Sequence, residues 1–62
     1  MLAEQRRSLI LDIVAEQGSV SVTELYRRLK VSRETIRRDI KVMANKGLVE
    51  RVHGGAVLPD LF

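Results

Sequence analysis

Residues 21–46, SVTELYRRLKVSRETIRRDIKVMANK, carry two helical patterns separated by a connection with room only for a tight turn. Ser21 with Glu24 three positions later has the form of a capping box, and Leu25 and Leu29 at i and i+4 give the helix that follows an apolar edge. After Lys30 and Val31, Ser32 offers its hydroxyl as a second N-cap, and Gly47 ends the pattern that Ser32 opens. The sequence thus predicts helices over about 22–29 and 33–46.

At about 100° per residue, with Ile36 set at zero, Ile40 falls near 40° and Met43 near −20°, so these three form the inward stripe of the longer helix. Glu34, Arg37, Arg38, Lys41 and Asn45 fall between about 100° and 200°, turned to solvent or to a partner. Asp39 falls near −60°, beside the apolar stripe, where a lone ionised carboxylate is costly to bury. It is therefore expected to have a cationic partner, an arginine of the first helix or of the C-terminal hairpin.

Working outward, LAEQRRSLILDIVAEQ at 2–17 puts Leu2, Arg6, Leu9, Ile10, Ile13 and Val14 on one arc and reads as a first helix, with Gly18 at its C-cap. SVSV at 19–22 alternates polar and β-branched residues, as a short strand or extended link does. Beyond Gly47 the period shortens: LVERV and AVL flank HGG, which reads as a β-hairpin over about 48–58 with Gly54 and Gly55 at its tip, until Pro59 blocks further pairing. Three helices and a hairpin, in that order, are a winged helix-turn-helix: mainly α with a small β wing, one domain over 1–62.

Composition agrees with a small folded module. A chain of 62 residues buries only about 60% of its unfolded surface, so modest stability is expected. Lys plus Arg number 11 against 8 Asp plus Glu, for a net charge of +3, and 45% of residues are hydrophobic. That apolar share suits an organised basic surface better than a disordered basic tail. With no cysteine and His53 as its single histidine, the chain has no set of metal ligands, and neither metal nor cofactor is expected. It shows no membrane-spanning run and no signal peptide, so a cytoplasmic location is expected. No nucleophile has a base near it and no paired carboxylates lie in an apolar context, which points away from an enzyme.

The chemistry that remains is recognition. An arginine-bearing helix behind a tight turn can lie in the major groove of B-DNA, where a guanidinium bonds guanine O6 and N7 in bidentate fashion. Arg37, Arg38, Lys41 and Glu34 occupy the outward face of such a helix. Ser32, Arg33 and Thr35 stand at its start, where they suit either phosphate anchoring or simple capping. At the wing, His53 can donate to a phosphate, and Gly54 and Gly55 would let the backbone come close. Two plainer readings compete: a solvated face with Glu34 paired to Arg38, and a winged helix that docks protein. RNA stacking has little to work with, since the aromatics are Tyr26 and Phe62 alone.

SVTELYRRLKVSRETIRRDIKVMANKGLVERVHGGAV resembles the N-terminal domain of the DeoR family of bacterial transcriptional regulators. That family has Ser-x-x-Thr-Ile-Arg-Arg-Asp-Leu on its recognition helix and His-Gly-Gly-Ala downstream. Ser32, Thr35, Ile36, Arg37, Arg38 and Asp39 fall on the first motif, with Ile40 in place of leucine; His53, Gly54, Gly55 and Ala56 fall on the second. Tyr26 stands where family members often carry a small residue, and Lys30 where the turn often has glycine. The resemblance implies sequence-specific binding to a double-stranded operator, usually for repression of sugar or nucleoside metabolism. It also implies, in a full-length regulator, a C-terminal effector domain that binds a sugar phosphate and mediates oligomerisation.

Overall fold

The computed structural model describes residues 1–59, in the order α1 (Ala3–Gln17), β1 (Ser19–Ser21), α2 (Val22–Leu29), α3 (Arg33–Asn45), β2 (Glu50–Val52) and β3 (Gly55–Val57). Phe62 lies outside the described residues.

Each helix ends where local chemistry requires. Gly18, at φ +84°, closes α1, and its N–H donates to the Val14 carbonyl at 2.7 Å. Ser21 caps α2 by accepting from the Glu24 N–H at 3.0 Å. The other half of the expected capping box does not form: the Glu24 carboxylate instead accepts from Gln17 Nε2 at 3.1 Å and Arg28 Nη1 at 3.3 Å. Lys30 ends α2 in the left-handed region at φ 57°. A side chain there costs about 1–2 kcal/mol that a glycine would not. Beyond α3, the Gly47 N–H donates to the Ala44 carbonyl and the Leu48 N–H to the Met43 carbonyl, both at 3.0 Å. This is a Schellman closure, with Gly47 at φ +75° in the position that favours glycine.

The core is one cluster: Ile10, Ile13 and Val14 from α1, Val20 from β1, Val22 and Leu25 from α2, Ile36, Ile40 and Met43 from α3, then Val49 and Ala56. The α3 stripe lies inward as the wheel requires. On α1 the arc is narrower than expected, because Leu2 and Leu9 are exposed at 71% and 42%. Relative to Ile10 both sit some 80–100° around the helix, at the margin of the buried face, and Leu2 is the extended N-cap rather than a helical residue.

The wing is a three-stranded antiparallel sheet in the order β1-β3-β2. The 19–21 segment is thus a true strand, and β3 is central. Val52 pairs with Gly55, which leaves only His53 and Gly54 in the turn. Positive φ occurs at the second of these alone, Gly54 at +80°, the sign pattern of a type II turn. Gly55 is therefore not at the tip. It is a buried strand residue, and a Cβ on it would stand 2.2 Å from the Val20 carbonyl oxygen. Its glycine serves the close approach of β3 to β1. Gly55→Ala is expected to force the strands apart and lower stability by about 2–3 kcal/mol, as overpacking does. An unchanged urea midpoint for that variant would contradict the register.

Two further hydrogen bonds tie the wing to the helices. The Val22 N–H, first in α2, donates to the Gly54 carbonyl at 2.8 Å, and the Leu58 N–H donates to the Gly18 carbonyl at 3.0 Å.

Candidate nucleic-acid interface

Helix α3 turns Arg33, Glu34, Arg37, Arg38 and Lys41 to solvent, while Ile36, Asp39, Ile40 and Met43 are buried beneath them. An open cleft of about 660 Å³ separates the outer face of α3 from the wing. Glu34, Arg37, Arg38 and Lys41 line one wall, and Arg51, His53 and Gly54 line the other. The two groups of sequence-predicted residues thus face each other across one concavity. Gly55 also borders it, through backbone. Arg33 and Ser32 are not among the lining residues, and neither is Thr35.

Ser32 caps α3: its Oγ accepts from the Thr35 N–H at 3.1 Å and donates to Thr35 Oγ1 at 2.9 Å. Both hydroxyls are thereby engaged within the helix start. Arg38 Nη2 stands 3.9 Å from Glu34 Oε1, with both side chains well exposed. An exposed pair of this kind contributes at most a few tenths of a kcal/mol and exchanges readily for another anion. Among the described residues, Arg37, Lys41 and Arg51 form no ion pair. The cleft therefore concentrates positive charge with little internal neutralisation, as a surface for a polyanion does.

Asp39, only 1% exposed, is held by two arginines of α1. Arg6 grips it with Nε on Oδ2 and with Nη2 on Oδ1 at 2.9 Å, while Arg7 Nε reaches Oδ1 at 3.1 Å. Burial opposes ionisation of this carboxyl, but the hydrogen bonds from Arg6 and then Arg7 outweigh it and hold Asp39 below the usual carboxylate range. The expected cationic partner is thus found on α1. Asp39 turns away from the cleft and fixes α3 to α1, leaving its neighbour Arg38 outward.

Arg51 is not among the residues that the sequence singled out. Its signal was the strand period: Arg51 pairs with Ala56, which pairs in turn with Val20, so the three share one face of the sheet. Val20 and Ala56 use that face for the core. At the outer strand the same face has run past the core and meets the cleft. Also missed was a stack in which Arg33 Cζ lies 4.1 Å from the Tyr26 ring centroid.

Two helices joined by a tight turn, a basic outer face on the second and a small sheet flanking it make this chain a winged helix-turn-helix DNA-binding domain of the transcription-regulator class. Residues 6–61 match the DeoR-like helix-turn-helix domain, and the chain belongs to the DeoR family. It is 56% identical over 52 residues to the L-fucose operon activator of Haemophilus influenzae, covering 84% of this chain and 21% of that protein. It is 46% identical over 60 residues to the glycerol-3-phosphate regulon repressor of Escherichia coli, covering 97% and 24% respectively. With the lactose phosphotransferase system repressor of Streptococcus mutans it shares 39% over 62 residues, covering 100% and 25%. The chain thus spans a quarter or less of the length of these relatives. No solved structure matches. No helix among the described residues is long and apolar enough to cross a membrane.

Proposed function

We propose that this domain directs a bacterial regulator to its operator, with α3 in the major groove and the wing against the adjacent backbone. The observation that carries this reading is the cleft, which sets Arg37, Arg38 and Lys41 opposite Arg51 and His53. Arg37 and Arg38 read or brace base edges, and Lys41 and His53 bond phosphates. Ser32 and Thr35 act first as the cap that shapes the helix start. Gly54 is the closest approach of the wing backbone, while Gly55 contributes through the strand geometry that supports it.

By analogy with relatives named for the fucose operon, the glycerol-3-phosphate regulon and the lactose phosphotransferase system, the regulated genes serve sugar or sugar-phosphate metabolism, most simply by repression. The regulator acts in the cytoplasm and has no catalytic role. A C-terminal effector domain that binds a sugar phosphate and assembles the oligomer completes it. Two copies then place their recognition helices about 34 Å apart, one turn of DNA. A protein-docking role is disfavoured because none of the large exposed hydrophobic residues, Leu2, Leu9 and Leu58 among them, lies on α3.

Selection of binding sites from a random duplex pool, with the domain fused to a dimerising partner, tests the reading. Recovery of inverted half-sites at helical spacing is expected; enrichment of no duplex sequence over the starting pool would overturn it.

A further inference from the structure

We infer that Tyr26 is a positioning residue for DNA binding, whose ring holds the Arg33 guanidinium beside the start of α3 for contact with a backbone phosphate. The inference rests on the DNA-binding reading of α3 and adds a residue from α2 to it. Tyr26 is 39% exposed and stands outside the core cluster, so filling the interior does not account for it. Its ring instead lies under the Arg33 guanidinium, with Cζ 4.1 Å from the centroid, well inside the range of a cation–π contact.

The geometry of the stack favours a ligand at the guanidinium edge. A guanidinium is planar and directs its N–H groups outward in its own plane. The ring holds the group from one side at Cζ, and among the described residues no carboxylate pairs with Arg33. A long side chain already held in one orientation loses less freedom when it binds.

Phosphate is the favoured acceptor because of where Arg33 sits. The α3 residues that border the cleft are Glu34, Arg37, Arg38, Ile40 and Lys41, and Arg33 is not among them. It lies on the α2 side, and in a helix-turn-helix the first helix of the pair crosses the sugar-phosphate backbone. A contact there sets register and affinity without reading sequence.

The test is a double-substitution cycle on the chain, with Tyr26→Ala, Arg33→Ala and both together, read against a short labelled duplex of scrambled sequence over a range of salt. Tyr26→Ala should weaken binding about two- to fivefold, the size of an exposed cation–π contact, and should keep the parent's salt slope. Tyr26→Phe retains the ring and should bind as the parent does; Tyr26→Leu keeps bulk without the π face and should weaken binding as alanine does. Arg33→Ala should lower the slope of log K against log salt by about 0.9, one phosphate. Adding Tyr26→Ala to Arg33→Ala should then cost nothing more. Additive losses in the cycle, or an unchanged slope for Arg33→Ala, would overturn the positioning role while duplex binding by the parent stands. Failure of the parent to bind any duplex would remove the DNA reading and this inference together.

Discussion

Alanine at both Arg37 and Arg38 is expected to lower operator affinity by a hundredfold or more without disturbing the fold. Both side chains are exposed on the outer face of α3, and neither takes part in the core cluster or in the Asp39 ion pairs. Each good bidentate base contact is worth about 1–3 kcal/mol of discrimination, and every 1.4 kcal/mol is tenfold. The loss of the Arg38 interaction with Glu34 is negligible beside this. If the pair reads bases, preference among sequences should flatten as well as affinity fall. If one of the two only braces a phosphate, its single variant should weaken all duplexes alike and lower the salt slope by about 0.9. Binding of operator and scrambled duplex, with an unfolding midpoint measured alongside, separates these outcomes. A folded double variant that binds operator as tightly as the parent does would remove α3 from the interface.

A comparably large effect, on stability instead, is expected at Asp39. Removing one partner of a buried ion pair costs about 3–5 kcal/mol, because Arg6, mostly covered, would keep its charge without its acceptor. For a domain of 62 residues the whole stability is on the order of 3–9 kcal/mol. Asp39→Ala should therefore forfeit from about a third to the whole of that stability and unfold at a much lower urea concentration than the parent. Asp39→Asn keeps the shape and one acceptor oxygen, so it should remain folded with a lower urea midpoint.

The same site predicts an acid limb. The folded Asp39 carboxyl is depressed by Arg6 and Arg7, while the unfolded chain returns it to about 3.9. Below that value the unfolded state binds the extra proton, so stability rises with pH there. The contribution is complete above about pH 5, declines as pH falls through the unfolded value and is gone below the lower folded one. Asp39→Asn should lack that component. Parallel acid limbs for parent and variant, measured by urea unfolding between neutral and strongly acid pH, would contradict the ion pair.

The helices were legible because their signals are local. Ser21, Ser32, Gly18 and Gly47 act within a few residues of themselves, and the 3.6-residue period of Ile36, Ile40 and Met43 survives any tertiary context. Asp39 betrayed its partner through cost: a carboxylate near an apolar stripe demands a cation, although the wheel could not choose between helix and wing.

What stayed hidden was distance between elements. Residues 19–22 read equally as a short strand or an extended link, and the pairing of 19–21 with 55–57 joins segments far apart in sequence. Gly55 looked like its neighbour Gly54, yet one relieves a backbone angle and the other a contact with Val20, a difference only the register reveals. Arg51 and the Tyr26–Arg33 stack were missed because both depend on where two separate segments meet.

The hydrogen bond from the Val22 N–H to the Gly54 carbonyl makes the wing and the helix pair a caliper with a set gap. The turn at His53 and Gly54 is fastened to the first residue of α2, which restrains it from swinging independently toward a duplex. A duplex seated against both α3 and the wing must then bring its groove and its flanking backbone to the spacing the protein already has. Stretches whose groove width matches would fit unstrained, and others would have to bend or narrow at an energetic cost that depends on their base steps. Substitutions at the wing could in this way change which operators are favoured while touching no base at all.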